Sequence, residues 1–249
     1  MSLSASTARH WLERWDRQQE GYLPDRETIF AVIADAVQAR VSRPDPLILD
    51  LGCGPGSLGA RIKERLPRAR VVGVDSDPVL LAIAAAAYDI ELVDHDLADP
   101  GWIDALPVPG PFDAVVSTTA LHWLDRDALA SVYAQAGAHL REGGILLNGD
   151  AMPDGDEAIT GLRKELISRQ IVRAGVAEVE NWQDWWVAIK EEPEFADVIA
   201  ERESRTWDHP TPRATPGYVA HLEALAAAGF GSVGTVWQYG QRRILAAIR

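Results

Sequence analysis

Residues 47–59 read LILDLGCGPGSLG, an apolar run that reaches an aspartate and then breaks into glycines at 52, 54, 56 and 59. A run this short and this apolar suits a strand buried on both faces. Glycine alone lets the following backbone turn sharply and open a helix at once. A strand that feeds a helix in this way needs a further strand parallel to the first, so the stretch commits the chain to an α/β architecture. The residues that follow keep the alternation. Further strands are expected at Arg70–Asp75 (RVVGVD), 90–93, 112–117 (FDAVVS) and 145–148 (ILLN, entered through a Gly143-Gly144 turn). Between them lie helical patterns. Leu58, Ile62 and Leu66 share one face, Asp77-Pro78 supplies an N-cap and first helical position, and Leu129, Val132, Tyr133 and Ala136 stripe another helix.

The flanks differ from this middle. Two helices come first, at 8–20 and Arg26–Arg40, joined by the loop GYLPD, and SRPDP then leads into the first strand. Residues 151–212 carry helical spacing and no convincing strand. Trp182, Trp185, Trp186 and Ile189 fall at i, i+3, i+4 and i+7, the buried face of a helix. From Thr215-Pro216 a helix runs to Gly229, and residues 231–249 read as a closing hairpin with Gly240 near its turn, whose two strands are antiparallel. The expected fold is therefore a doubly wound α/β sheet of seven strands, mostly parallel with an antiparallel last strand. N-terminal helices (1–44) cover a core of 45–150 and 213–249, and a helical cap (151–212) is inserted into it.

Charge and cysteine content narrow the partners. A formal charge of -13 argues against a nucleic acid, whose phosphates need a basic face. The single cysteine, Cys53, allows no internal disulfide and no cysteine-based metal cluster, and suits a reducing cytoplasm. The N-terminus lacks the apolar core of a signal peptide, and the most apolar run, 79–88, is too short to span a bilayer. A cytoplasmic protein without membrane or nucleic-acid partners, monomeric or homodimeric, is expected.

In a doubly wound sheet ligands bind beyond the carboxyl ends of the strands. Chemistry should therefore gather at Asp50–Gly56, Asp75, Asp94–Leu97, Ser117–Trp123 and Asn148–Asp150. The glycine loop fits two templates there. Gly54, Gly56 and Gly59 spell the GxGxxG of a dinucleotide turn, with Asp75 at a distance that suits a ribose. Gly52, Gly54 and Gly56, preceded by Asp50, spell another. A pyrophosphate favours a helix N-terminus free of negative charge, whereas Asp50 suits a ligand that carries an ammonium group.

Taken together, LDLGCGPG, VVGVDSD, VDHDLAD, FDAVVSTTALHWL and REGGILL resemble, in order and spacing across residues 45–150, the class I S-adenosylmethionine-dependent methyltransferases. ALHWL is similar to small-molecule enzymes of the trans-aconitate group. The resemblance implies a Rossmann-like fold, S-adenosylmethionine as cofactor with S-adenosylhomocysteine as product, and methyl transfer to oxygen or nitrogen of a small-molecule acceptor. It also implies roles. Gly52, Cys53, Gly54 and Gly56 pass under the methionine moiety, with Asp50 facing its ammonium. Asp75 takes both ribose hydroxyls, with the adjoining Ser76 also at the cofactor, Asp96 and Leu97 take the adenine, and Ser117 and Thr118 lie beneath the methionine part. An NAD-linked oxidoreductase and a non-catalytic cofactor-binding regulatory or scaffold protein are the alternatives.

For chemistry, His122 at the end of the fourth strand is the candidate general base, against the plainer role of a packed loop histidine. His10, His95, His139 and His221 have weaker cases. Tyr22, Arg26, Trp123, Trp186 and His209 are the candidate acceptor contacts. Arg26 could grip a carboxylate, with a surface ion pair as its default. The cap tryptophans are expected mainly to pack, with at least one indole forming a wall of the acceptor site.

Overall fold

Neighbouring residues of β1 (Leu47–Leu51) bury against opposite layers. Ile48 joins an apolar cluster with Ile33, Val37 and Ile62, while Leu49 joins one with Leu129, Val132 and Leu225. This is the alternation of a strand covered on both faces, and it accounts for the unbroken apolar sequence there. The computed structural model describes residues 3–153, 155–205 and 215–249.

The other strands are β2 (Arg70–Asp75), β3 (Glu91–Asp94), β4 (Phe112–Thr118), β5 (Leu140–Ala151), β6 (Ser232–Tyr239) and β7 (Arg242–Ile248). They form one seven-stranded sheet in the order β3-β2-β1-β4-β5-β7-β6. The first five strands run parallel. β7 is antiparallel to both β5 and β6, as the closing hairpin requires. On one face lie α2 (Arg26–Arg40) and α3 (Ser57–Arg65); on the other lie α5 (Arg126–His139) and α9 (Tyr218–Ala227). The strand order reverses between β1 and β4, so their carboxyl ends open a crevice between the loops that follow them.

A third apolar cluster fixes the roof of that crevice. α1 (Ala5–Glu20) and α4 (Pro78–Ala87) meet α7 (Trp182–Ile189) and α8 (Ala196–Ser204) through Trp11, Ile83, Trp185, Ile189 and Ile199, with Phe195 just before α8. The tryptophan rings meet edge to face, Trp185 lying 4.9 Å from both Trp15 and Trp186. Each such pair is worth roughly 0.5–1.5 kcal/mol beyond burial. By contrast α6 (Glu157–Ala174) buries none of its residues.

The elements differ from the sequence expectation where the signal was local chemistry. α1 starts at Ala5 rather than residue 8, because the Ser4 hydroxyl accepts the Thr7 N–H and caps it. β3 is displaced by one residue, and β4 runs on to Thr118. β5 begins at Leu140, well before Ile145. Leu140 pairs with Phe112, the register then shifts, and Gly143 takes a φ of +72° inside the strand. The two glycines are an irregularity within a long strand, not the turn that starts it. No helix among the described residues is long and apolar enough to cross a membrane.

Candidate active site

The glycine turn is built by what its Cβ atoms would strike. Gly52 has a φ of +65°, and a side chain there would collide with the Cβ of Ala120. Gly54 also has positive φ, and its N–H donates to Asp75 Oδ2 at 2.7 Å. The loop after β1 is thus pinned to the end of β2 and to the loop after β4. Gly59 answers to packing: a Cβ there would come within 3.0 Å of Ile90 and 3.1 Å of Val71.

Over this turn lies a cavity of about 910 Å³, within the range of small-molecule sites. Gly52, Cys53, Gly54, Asp75, Thr118, Tyr22, Arg26, His122, Trp123 and Trp186 all line it, so ten residues singled out from the sequence converge on one space. Asp50, Gly56, Ser76, Asp96, Leu97 and Ser117 do not line it. Asp50 is 1% exposed, beneath the turn rather than facing the cavity. Ser117 is buried and donates to the Leu51 carbonyl, and the Asp96 carboxylate accepts the Ala98 N–H. Ser76 is turned to another purpose, its carbonyl accepting from Arg205. His209 lies outside the described residues.

The floor is acidic and poorly solvated. Burial raises the Asp75 carboxyl to about 6, against hydrogen bonds from the backbone N–H groups of Asp77 and Gly54. Burial likewise raises Asp50 to about 7, opposed by the Gly59 N–H and reinforced by Asp75. The same burial, with the two carboxylates nearby, pushes the Cys53 thiol far above its ordinary value and keeps it unreactive.

His122 lines the same cavity. Its backbone N–H donates to Asp150 Oδ2 at 3.0 Å, and its ring Nδ1 lies 2.8 Å from Asp150 Oδ1. One carboxylate therefore fixes both the position and the ring orientation. With Nδ1–H directed at Asp150, Nε2 is left as the acceptor nitrogen of the neutral ring. Burial opposes protonation of this imidazole, but the charge and hydrogen bond of Asp150 outweigh it, and the net pKa lies above 6.5. His221 has the plainer role: it is buried with its Nδ1 2.7 Å from the Tyr133 hydroxyl.

The walls come from the N-terminal helices and the cap. Arg26 is not at the surface. It is 6% exposed, 2.8 Å from Asp16, and stacked 4.6 Å from the Phe30 ring. Asp16 also accepts from Ser57 at the start of α3 and pairs with Arg61, tying α1 to the glycine loop. Tyr22 reaches across, its hydroxyl accepting the Trp182 N–H at 3.1 Å. Trp123 lines the cavity with 62% of its surface exposed, and Trp185 packs while Trp182 and Trp186 line the cavity. Sequence reasoning missed Arg202 and Arg205. Arg202 lies 3.9 Å over the Trp186 ring and 2.7 Å from Asp77 Oδ2, and Arg205 bonds Asp94. Nothing in a helix of alternating charges marks these two as reaching the ends of β2 and β3. Asp150 had a signal, its place at a strand end, but not its pairing with His122.

Comparison with known proteins agrees with this geometry. A family described as "Methyltransferase domain" matches residues 48–144. A trans-aconitate 2-methyltransferase of Azoarcus sp. is 37% identical over 134 residues, 53% of this chain and 49% of that protein. The aligned chain thus spans about half the length of that relative. The Acidovorax sp. (strain JS42) protein of the same name is 30% identical over 77% of this chain and 71% of its own. The crystal structure of Streptomyces venezuelae DesVI shares the fold, with a TM-score of 0.59 at 15% identity over 95% of this chain and 97% of that one.

Proposed function

The chain belongs to the class I S-adenosylmethionine-dependent methyltransferases, and on that premise we propose that it transfers a methyl group to oxygen or nitrogen of a small-molecule acceptor. The observation that carries this reading is one cavity lined by the glycine turn, Asp75 and His122, with the His122 ring held by Asp150. The residues present fit the cofactor. Gly52 presents bare backbone to the cavity, and Asp75, which lines it, keeps acceptor capacity beyond its two backbone N–H bonds that ribose hydroxyls would use. Bound there, S-adenosylmethionine supplies a methyl on a sulfonium, activated because a neutral thioether leaves.

The chain's own contribution is geometry and proton handling. α1, α7 and the Tyr22–Trp182 contact wall the cavity, which supports alignment of the acceptor. An acceptor hydroxyl or amine beside His122 gives its proton to Nε2, and Asp150 stabilises the imidazolium so formed. On this reading residues 1–44 and 151–212 enclose the acceptor, while 45–150 and 213–249 hold the cofactor. The relatives' names make trans-aconitate the first acceptor to try; its carboxylates are already ionised, so the base role of His122 belongs to a hydroxyl or amine acceptor.

Calorimetry with S-adenosylhomocysteine, S-adenosylmethionine and NAD tests the assignment. Binding of the first two, weakened at least tenfold in Asp75→Ala, is expected. Preference for NAD, or indifference to the substitution, defeats the reading.

A further inference from the structure

The C-terminal end of α8 ties the cap to the sheet through two arginines. Arg202 Nε donates to Asp77 Oδ2 at 2.7 Å, and its guanidinium lies 3.9 Å over the Trp186 ring. Arg205 sets both terminal nitrogens against the Asp94 carboxylate, Nη1 at 2.7 Å and Nη2 at 2.5 Å, and Nη1 also donates to the Ser76 carbonyl at 2.7 Å. Glu201, one turn back, accepts from Nη2 and holds the side chain in line. A two-pronged arginine–carboxylate pair of this kind fixes direction as well as distance. Ile199 is the one buried residue of α8, so these polar contacts carry much of its attachment.

What the arginines hold is the carboxyl edge of β2 and β3. Asp75 and Asp94 are register partners at the ends of the two strands, and Ser76 and Asp77 follow Asp75 directly. Asp75, Asp77, Trp186 and Arg202 line the large cavity, whereas Ser76, Asp96 and Leu97 stay outside it. Arg205 thus bridges the strand ends across which the cavity would have to extend for a ligand to reach from Asp75 to Asp96. The Arg205 and Asp94 side chains are 26% and 44% exposed, so water can take over their charges when they part, and the bridge is separable at modest cost.

We propose that the end of α8 is a latch on cofactor exchange: Arg205, by bridging Asp94 and Ser76, slows both the entry and the departure of the cofactor, while Arg202 keeps Trp186 against the cavity. This rests on the methyltransferase reading and adds to it a control of how fast the site fills and empties. Arg205 does not line the cavity, so it acts by position and not by touching the ligand. Its bonds are made entirely to the chain's own groups and can re-form over a bound cofactor. Releasing them should therefore change rates more than affinity.

Surface plasmon resonance, with the 249-residue chain immobilised and S-adenosylhomocysteine as analyte, reads both rates without turnover. Arg205→Ala is expected to raise the association and dissociation rate constants at least fivefold each, with Kd moving by less than threefold. Asp94→Asn should reproduce the change, and the double variant should be no faster than either single one, because all three break the same bridge. Arg205→Lys, which keeps the charge without the two-pronged grip, should fall between. Lys190→Gln, which breaks the exposed Lys190–Glu203 pair at the other end of the cap's own packing, should leave both rates as they are. Unchanged rates in Arg205→Ala and Asp94→Asn, faster dissociation alone with Kd weakened to match, additive effects in the double variant, or equal acceleration in Lys190→Gln would overturn the proposal. Should Arg205→Ala fail to fold, Asp94→Asn carries the same test with the arginine in place. Failure of S-adenosylhomocysteine to bind the unaltered chain would instead strike the underlying methyltransferase reading.

Discussion

Asp150 gives His122 two instructions at once, one through the backbone and one through the ring, and a single substitution should separate them from the chemistry. As a base His122 must be neutral, so turnover should rise with pH through its pKa, above 6.5. In Asp150→Asn the charge that raises this pKa is gone, and the rising limb should move to lower pH while turnover falls. His122→Ala should lose about 10²–10⁴-fold in kcat. Initial rates measured from pH 5 to 9 check all three; an unshifted limb with full turnover in Asp150→Asn removes Asp150 as a positioning residue. His122 and Asp75 were legible in the sequence because strand ends in a parallel sheet are where chemistry collects. Asp150's pairing was not, because it depends on β4 and β5 being neighbours in a fixed register, Thr118 opposite Gly149.

Among the elements, α7 holds the roof by one indole. Trp185 is fully buried between Trp11, Trp15 and Trp186, whereas Trp182 on the same helix is 40% exposed. Trp185→Ala should cost about 3–5 kcal/mol of stability, and Trp182→Ala less than about 1 kcal/mol. Denaturant unfolding of both variants measures the contrast; equal losses would mean that the cluster does not bear on stability. The i, i+3, i+4, i+7 spacing made this helix readable, since periodicity reports which face is buried. It could not report the partner, because the match of Trp185 to α1 is a contact across some 170 residues of chain. The long β5 shows the opposite limit: Gly143-Gly144 looks like a turn in any local reading, and only pairing with Phe112 makes it part of a strand.

At the scale of the whole molecule, the buried acids set the pH response. Asp50 and Asp75, at about 7 and about 6, bind protons in the folded state that they release when unfolded above their ordinary 3.8. Folding therefore takes up protons across this interval, and stability falls as pH rises from about 4 to about 7. His122, raised, contributes in the same direction: its stabilisation is full below 6.5 and lost as pH passes its folded pKa. His221, lowered, opposes them, since its folded form sheds a proton earlier. Thermal melts across pH 5–8 without ligand should show a net decline, made shallower by Asp50→Asn; a flat or rising profile contradicts the acid floor.

The placement of the aromatic side chains has a consequence for watching this molecule at work. Of its nine tryptophans, Trp15, Trp123, Trp182 and Trp186 line the large cavity, and Trp186 is covered by the Arg202 guanidinium. Any molecule that enters must change what these indoles face. The protein thus carries its own fluorophores at the point of entry, and the arrival of each reactant can be followed by intrinsic emission without a label.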